Sequence, residues 1–198
     1  IMELQSDNIY HVYNQGNNRQ AIFEGYNDYL MFLKKVRQFV KPHCDILAYC
    51  LMPNHFHFLL NVTEKSTELV KQGNIEVTRL SNSFRLLLSQ YALDFNKKHD
   101  RSGSLFRQKT KSKLMVDSNQ AFICFQYIHQ NPWKAGLVDK IEDWEFSSFR
   151  DYSLMRNGSL CKKEIAFNLI DVNEQTFLED SYGVVIEEGL RNTLFSHN

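Results

Sequence analysis

"CLMPNHFHFLL", residues 50–60, sets His55 and His57 on either side of Phe56 inside a hydrophobic run. The segments around it, "DILAYCLM" (45–52) and "HFHFLLNV" (55–62), are rich in aliphatic and aromatic residues. Between them Pro53 and Asn54 are turn formers, and together they predict a β-hairpin. Side chains alternate along a strand, so His55 and His57 project from one face, roughly 7 Å apart, while Phe56 points to the other. Two imidazoles placed this way can converge on one metal ion. They can equally be buried, hydrogen-bonded histidines on a sheet face, and spacing alone leaves both readings open.

The rest of the chain extends this hairpin into a βαββαβ order. "NIYHVYNQG" (8–16) alternates apolar and polar residues up to Gly16 and predicts a first strand. A helix follows, with Asn27 or Asp28 as its cap, Tyr29, Phe32, Leu33, Val36 and Phe39 at helical spacing, and Pro42 just beyond its end. After the hairpin, a long amphipathic helix is expected from about Glu76 to Lys98, with Leu80, Phe84, Leu87, Leu88, Tyr91 and Phe95 on one side. "SLFRQKTKSKLMV" (104–116) then predicts a strand, and a third helix starts at the cap Ser118 and stops where Pro132 restricts Asn131. This is an α+β, ferredoxin-like antiparallel sheet with an added helix. Residues beyond about Tyr152, including "KKEIAFNLI" (162–170) and "EEGLRNTLF" (187–195), form a helical extension, giving units 1–152 and 153–198. The apolar-periodic helices of this tail are expected to fold over the active face.

Composition bounds the function. The 198 residues, 43% hydrophobic, suffice for one domain with a sizeable core. No apolar run approaches the roughly 20 residues of a membrane span, and no signal peptide is visible, so a cytoplasmic protein is expected. Cys44, Cys50, Cys124 and Cys161 include no CxxC pair and read as reduced, packed thiols. With 23 basic and 23 acidic side chains the net charge is zero, so any nucleic-acid footprint has to be local.

The strongest local footprint is "RSGSLFRQKTKSKLM" (101–115), which holds Arg101, Arg107, Lys109, Lys111 and Lys113 and no acidic residue. As a strand it would put three lysines on one face, suited to phosphate or to guarding a sheet edge. Phe106 within it can stack a base or fill the core, and core is favoured. Asn17, Asn18 and Arg19 make a polar loop after the first strand that can read bases or simply be solvated. On the third helix Tyr127 and Asn131 are four residues apart and project about 40° from each other, whereas His129 points nearly the opposite way. Tyr127 by itself reads as well as a core tyrosine bonded to backbone.

Taken together, "MPNHFHFLL" (52–60), "GSLFRQKTKS" (103–112), "YIHQNPWKAGLV" (127–138) and "WEFSSFRDY" (144–152) resemble the single-tyrosine HUH transposases, in particular the REP-associated tyrosine transposases. The resemblance covers roughly residues 8–152. It implies a ferredoxin-like nuclease that cuts single-stranded DNA flanking a hairpin by tyrosine attack, leaving a 5′-phosphotyrosine and a free 3′-hydroxyl. Carried over, His55 and His57 are the HUH pair and metal ligands, Tyr127 is the nucleophile, and Asn131 stands where relatives place a Gln or Asn ligand. The resemblance implies magnesium or manganese, and a His, His, amide donor set favours manganese for tight binding. Gln15 replaces a common Arg, and Trp133 a small aliphatic residue; both bear on substrate choice. A monomer and a homodimer with a shared site both fit. Two other classes remain: a non-catalytic nucleic-acid-binding module, and a metallohydrolase that activates water and leaves no protein adduct.

Overall fold

The computed structural model describes residues 2–184. In chain order it has β1 (Asn8–Gln15), a 3-10 turn (Asn17–Arg19), α1 (Tyr26–Lys35), a π turn and a 3-10 turn through His43, β2 (Asp45–Met52) and β3 (His55–Val62). It continues through α2 (Glu64–Thr67), β4 (Leu69–Gln72), β5 (Ile75–Thr78), α3 (Arg79–Lys98), β6 (Lys111–Met115) and α4 (Ser118–Lys134). A 3-10 turn (Ile141–Asp143), α5 (Phe149–Tyr152), α6 (Lys163–Leu169) and α7 (Phe177–Gly183) complete it. The main sheet is antiparallel in the order β2-β3-β1-β6, and β4 pairs with β5 separately.

The hairpin forms as the sequence predicts, Met52 pairing with His55 across the Pro53-Asn54 turn. One sheet face is a greasy layer: Phe56 meets Phe32 of α1 at 5.3 Å between ring centroids, and Phe58 meets Phe84 of α3 at 6.1 Å. Phe106 joins this core at 7% exposure, beside Phe56 and Tyr91. On the opposite face α4 packs against β2, β3 and β6. The register puts His11, Tyr13 and Gln15 of β1 on this second face with His57 and His55, because Tyr13 pairs with His57 and Gln15 with His55. Lys111 and Lys113 of β6 join them, paired with Tyr13 and His11.

Several boundaries differ from those read in sequence. Gly25 rather than Asn27 or Asp28 precedes α1; Asp28 sits in the first turn and accepts from the backbone N–H groups of Glu24 and Gly25 at 2.9 and 3.2 Å. Asp28 also accepts from Lys98 Nζ at 2.5 Å. Burial pushes the Asp28 carboxyl up, but the bonds from Lys98, Glu24 N and His99 outweigh it and hold the group below the usual carboxylate range. Glu76 belongs to β5, not to α3, because Gly73 at φ 60° turns the chain into a hairpin before Thr78 caps the helix through Ser81 N. The strand expected over 104–116 shrinks to β6, since Leu105–Arg107 instead crosses the end of β1, with Asn17 N bonding Leu105 O and Arg107 N bonding Gln15 O at 2.9 Å each. Lys109 is therefore outside the strand, and two lysines rather than three share its face.

Asp117, not Ser118, caps α4, its Oδ1 accepting from Gln120 N at 2.7 Å. Nor does Pro132 stop the helix. Its missing N–H costs one intrahelical bond, but the end is closed just beyond it: Gly136 N bonds Trp133 O and Leu137 N bonds Pro132 O, each at 3.0 Å, with Gly136 at φ 69°. Tyr127 and Asn131 thus lie on one continuous helix.

The four cysteines are buried and unbridged. Among the described residues no helix is long and apolar enough to cross a membrane. The described tail packs behind α4, away from the Tyr127 face: Phe177 contacts Phe125 and His129, and Gln130 Nε2 donates to Ser181 O at 2.7 Å. For residues 153–184 this differs from the expected placement over the active face. "EEGLRNTLF" lies outside the described residues.

Candidate active site

β3 supplies His55 and His57, β1 supplies His11 and Tyr13, and α4 lowers Tyr127 onto them. The Tyr127 ring stands edge-on to His57 at 5.6 Å and to His11 at 6.3 Å. His55 and His57 are 4.9 Å apart, nearly perpendicular. His57 and His11 are fully buried, and Tyr127 is 5% exposed. Tyr13 lies 6.0 Å from His57, and burial pushes its phenol pKa up.

Each β3 histidine is held at Nδ1. Asn54 Nδ2 donates to the carbonyl of Arg19 at 3.3 Å, so its Oδ1 is left to accept from His55 Nδ1 at 2.6 Å. His57 Nδ1 lies 2.8 Å from His11 Nε2. With Nδ1 engaged in both rings, Nε2 is the atom each can offer a cation. Asn131 follows Tyr127 by one turn; it is 8% exposed, and its amide nitrogen has no hydrogen-bond partner among the described residues. As a donor set, two imidazoles and an amide suit a divalent ion that keeps open positions. Among the described residues no trio of His, Cys, Asp or Glu is arranged to hold a metal.

The basic residues divide. Lys111 and Lys113 lie on the face of the histidines, and Tyr13, Asn14, Gln15, Arg107, Lys109 and Lys111 line a small recess at that rim. Asn14 Nδ2 donates to Arg107 O at 3.2 Å and to Thr110 Oγ1 at 3.1 Å, tying the basic loop to β1. Arg19 is exposed on the 3-10 turn, and it connects to His55 through Asn54. On the other side of residues 107–110, a cleft of about 450 Å³ opens toward Phe84 and Arg85 of α3.

No family model matches the chain. It is 26% identical over 125 residues to a Haemophilus influenzae protein named as a REP-associated tyrosine transposase, covering 60% of this chain and 69% of that one. A solved structure of a REP-associated tyrosine transposase bound to a REP hairpin shares the fold, with a TM-score of 0.58 at 16% identity, covering 78% of this chain and 84% of that one. The chain is similar to the REP-associated tyrosine transposases. The resemblance carried by the four sequence motifs therefore extends to a mixed helical and antiparallel-sheet architecture.

Sequence reading gave His11, Asn14 and Asn54 no part in the site. His11 and Tyr13 do alternate on β1, a signal that becomes specific only once β1 is registered against β3. Of the REP-associated tyrosine transposase-like motifs, "YIHQNPWKAGLV" contains a residue with a different task. His129 turns away from the site, as its spacing predicts, and its Nε2 lies 2.7 Å from Ser148 Oγ. Burial pushes its pKa down to about 3.

An unfolded histidine titrates near 6.5, so between that pH and about 3 the unfolded chain binds a proton that folded His129 refuses. Stability is fully present above the unfolded pKa and falls as pH drops through this window. Urea midpoints at pH 7 and pH 5 are expected to show a loss of roughly 2 kcal/mol from this group, absent in His129→Gln. Equal pH dependence in both proteins would remove the assignment.

Proposed function

We propose that this chain is a metal-dependent single-stranded DNA endonuclease and strand transferase, a transposase acting on hairpin-flanking DNA through a 5′-phosphotyrosine intermediate. The observation that carries the proposal is the Tyr127 ring seated 5.6 Å from His57, on the sheet face it shares with His55. In this reading β1, α1, β2, β3, α3 and β6 are a ferredoxin-like core with α4 as the added tyrosine helix. Residues 1–152 are the nuclease unit and 153–198 its extension.

Tyr127 Oη attacks phosphorus, the P–O3′ bond breaks, and the phenol loses a proton while the departing 3′-oxygen gains one. His55 and His57 through Nε2, and Asn131 through its amide oxygen, would hold Mg2+ or Mn2+, which would supply Lewis-acid stabilisation of the negative charge that builds on the phosphate. The phosphotyrosine ester conserves the energy of the cut bond, so an incoming 3′-hydroxyl can reverse the attack without a nucleotide cofactor. Tyr127 and His57 meet within one chain, which supports a site complete in a single protomer.

Arg107, Lys109, Lys111, Lys113 and Arg19 take the DNA backbone in this reading. Replacing Lys111 and Lys113 by Ala is expected to weaken binding of a hairpin-bearing single strand regardless of flanking sequence. It should also shallow the slope of log K against log salt by roughly 0.7 for each phosphate that is no longer neutralised. An unchanged slope in fluorescence anisotropy titrations would leave these lysines as edge protection only.

The test of the whole proposal is a denaturing gel after incubation with Mn2+ and labelled hairpin oligonucleotides. A covalent protein–DNA band that vanishes in His57→Ala is the expected result. Cleavage without any band favours the metallohydrolase. Binding without cleavage across a hairpin library favours the non-catalytic module.

A further inference from the structure

We propose that His11 is the positioning residue of the candidate cation site, accepting a hydrogen bond at Nε2 from His57 Nδ1–H and so fixing His57 in the tautomer whose Nε2 can bind a metal. The inference rests on the reading of His55, His57 and Asn131 as that site. His11 is fully buried on the central strand, with Nε2 2.8 Å from His57 Nδ1. Two aromatic neighbours contact its ring. Tyr13 stacks on it at 4.8 Å and 22°, and His57 lies at 5.0 Å and 18°. Tyr127 stands edge-on to it.

A bond between two neutral imidazoles has a single donor, so only two arrangements exist. If His11 donates, His57 carries its proton on Nε2 and has no lone pair to give. If His57 donates, Nε2 is bare. His55 offers the precedent within the same site, because the Asn54 amide, already donating to Arg19 O, can only accept from His55 Nδ1–H. Each β3 histidine thus has an outer partner. For His55 it comes from the hairpin turn, and for His57 from the neighbouring strand. Such partners orient a ligand and commonly change metal affinity 10–100-fold when removed.

The experiment combines two readouts on the full chain. Long-range 1H–15N NMR of the metal-free protein reads the His57 tautomer, and the EPR signal of free Mn2+ reads binding in wild type, His11→Leu, His11→Gln and His57→Ala. Expected are a His57 protonated at Nδ1, Mn2+ affinity 10–100-fold weaker in His11→Leu, and recovery of most of it in His11→Gln, whose amide oxygen can accept in place of Nε2. His11→Leu binding within twofold of wild type, or a wild-type His57 protonated at Nε2, overturns the proposal. If neither wild type nor His57→Ala binds Mn2+, the cation reading fails by itself. The tautomer then decides the hydrogen bond separately, Nδ1–H upholding it and Nε2–H removing it.

Discussion

Tyr127→Phe is expected to eliminate the covalent protein–DNA adduct and to lower strand cleavage by a factor on the order of 10⁴ or more, while hairpin binding stays within about twofold. The substitution removes one oxygen and retains the ring that packs edge-on against His57 and His11. Packing on the sheet face is therefore conserved, and any loss reports chemistry. A phenol is mostly protonated near neutral pH and is a weak nucleophile unless held in line with the leaving oxygen. In the proposed reading that holding comes from burial and from the helix: Tyr127 is 5% exposed on α4, which is closed at its far end by the Gly136 turn. Quantified gels with wild type and Tyr127→Phe at equal Mn2+ check this. Cleavage that survives in Tyr127→Phe would transfer the nucleophile's role to water and leave Tyr127 as a core tyrosine.

Much of this arrangement is legible in one dimension, for reasons that differ by element. The bounds of the β2–β3 hairpin are legible to the residue because its two runs are strongly apolar and a two-residue Pro-Asn turn fixes their register, whereas the register shift between Ile46 and Ala48 has no sequence signal. The Tyr127–Asn131 face and the opposite heading of His129 follow from helical spacing alone. His11 is not legible in the same way. Its value depends on which residue of β3 stands across from it, and strand register between β1 and β3 is a tertiary property. Glu76–Thr78 reads as helix because its polar residues continue smoothly into α3, and only the pairing with β4 makes it a strand. Pro132 misleads because its cost is local, about one hydrogen bond, whereas the Schellman closure and the burial of α4 act over the whole helix. Residues 104–110 pair with β1 only at isolated points, which no periodicity announces.

Arg156→Met is expected to destabilise the fold by about 3 kcal/mol and, through that, to loosen Tyr127. Asp151 is 1% exposed and receives the Arg156 fork in two bonds, Nε to Oδ1 at 2.6 Å and Nη2 to Oδ2 at 2.9 Å. The same guanidinium donates to the carbonyls of Glu145 and Ser147 at 2.8 and 2.6 Å and to the Tyr49 hydroxyl at 3.0 Å. It therefore staples the "WEFSSFRDY" segment to β2, where Leu51 N bonds Phe146 O and Ser148 N bonds Tyr49 O, each at 2.9 Å. Ser148 in turn meets His129 of α4, so the clamp reaches the helix that carries the proposed nucleophile. Methionine keeps the stem's packing and leaves a buried carboxylate that still accepts from Gly158 N at 3.1 Å but has lost its counter-charge. Removing one partner of a buried pair costs roughly 3–5 kcal/mol, and the lower end applies because the Arg156 side chain is 32% exposed. The double variant Asp151→Asn, Arg156→Met should recover part of that loss, since it leaves no uncompensated charge. Urea midpoints of wild type, the single variant and the double variant test this, with adduct yield measured in parallel below the unfolding transition. A loss under about 1 kcal/mol in Arg156→Met would mean that the segment is held to β2 by its backbone bonds and packing alone.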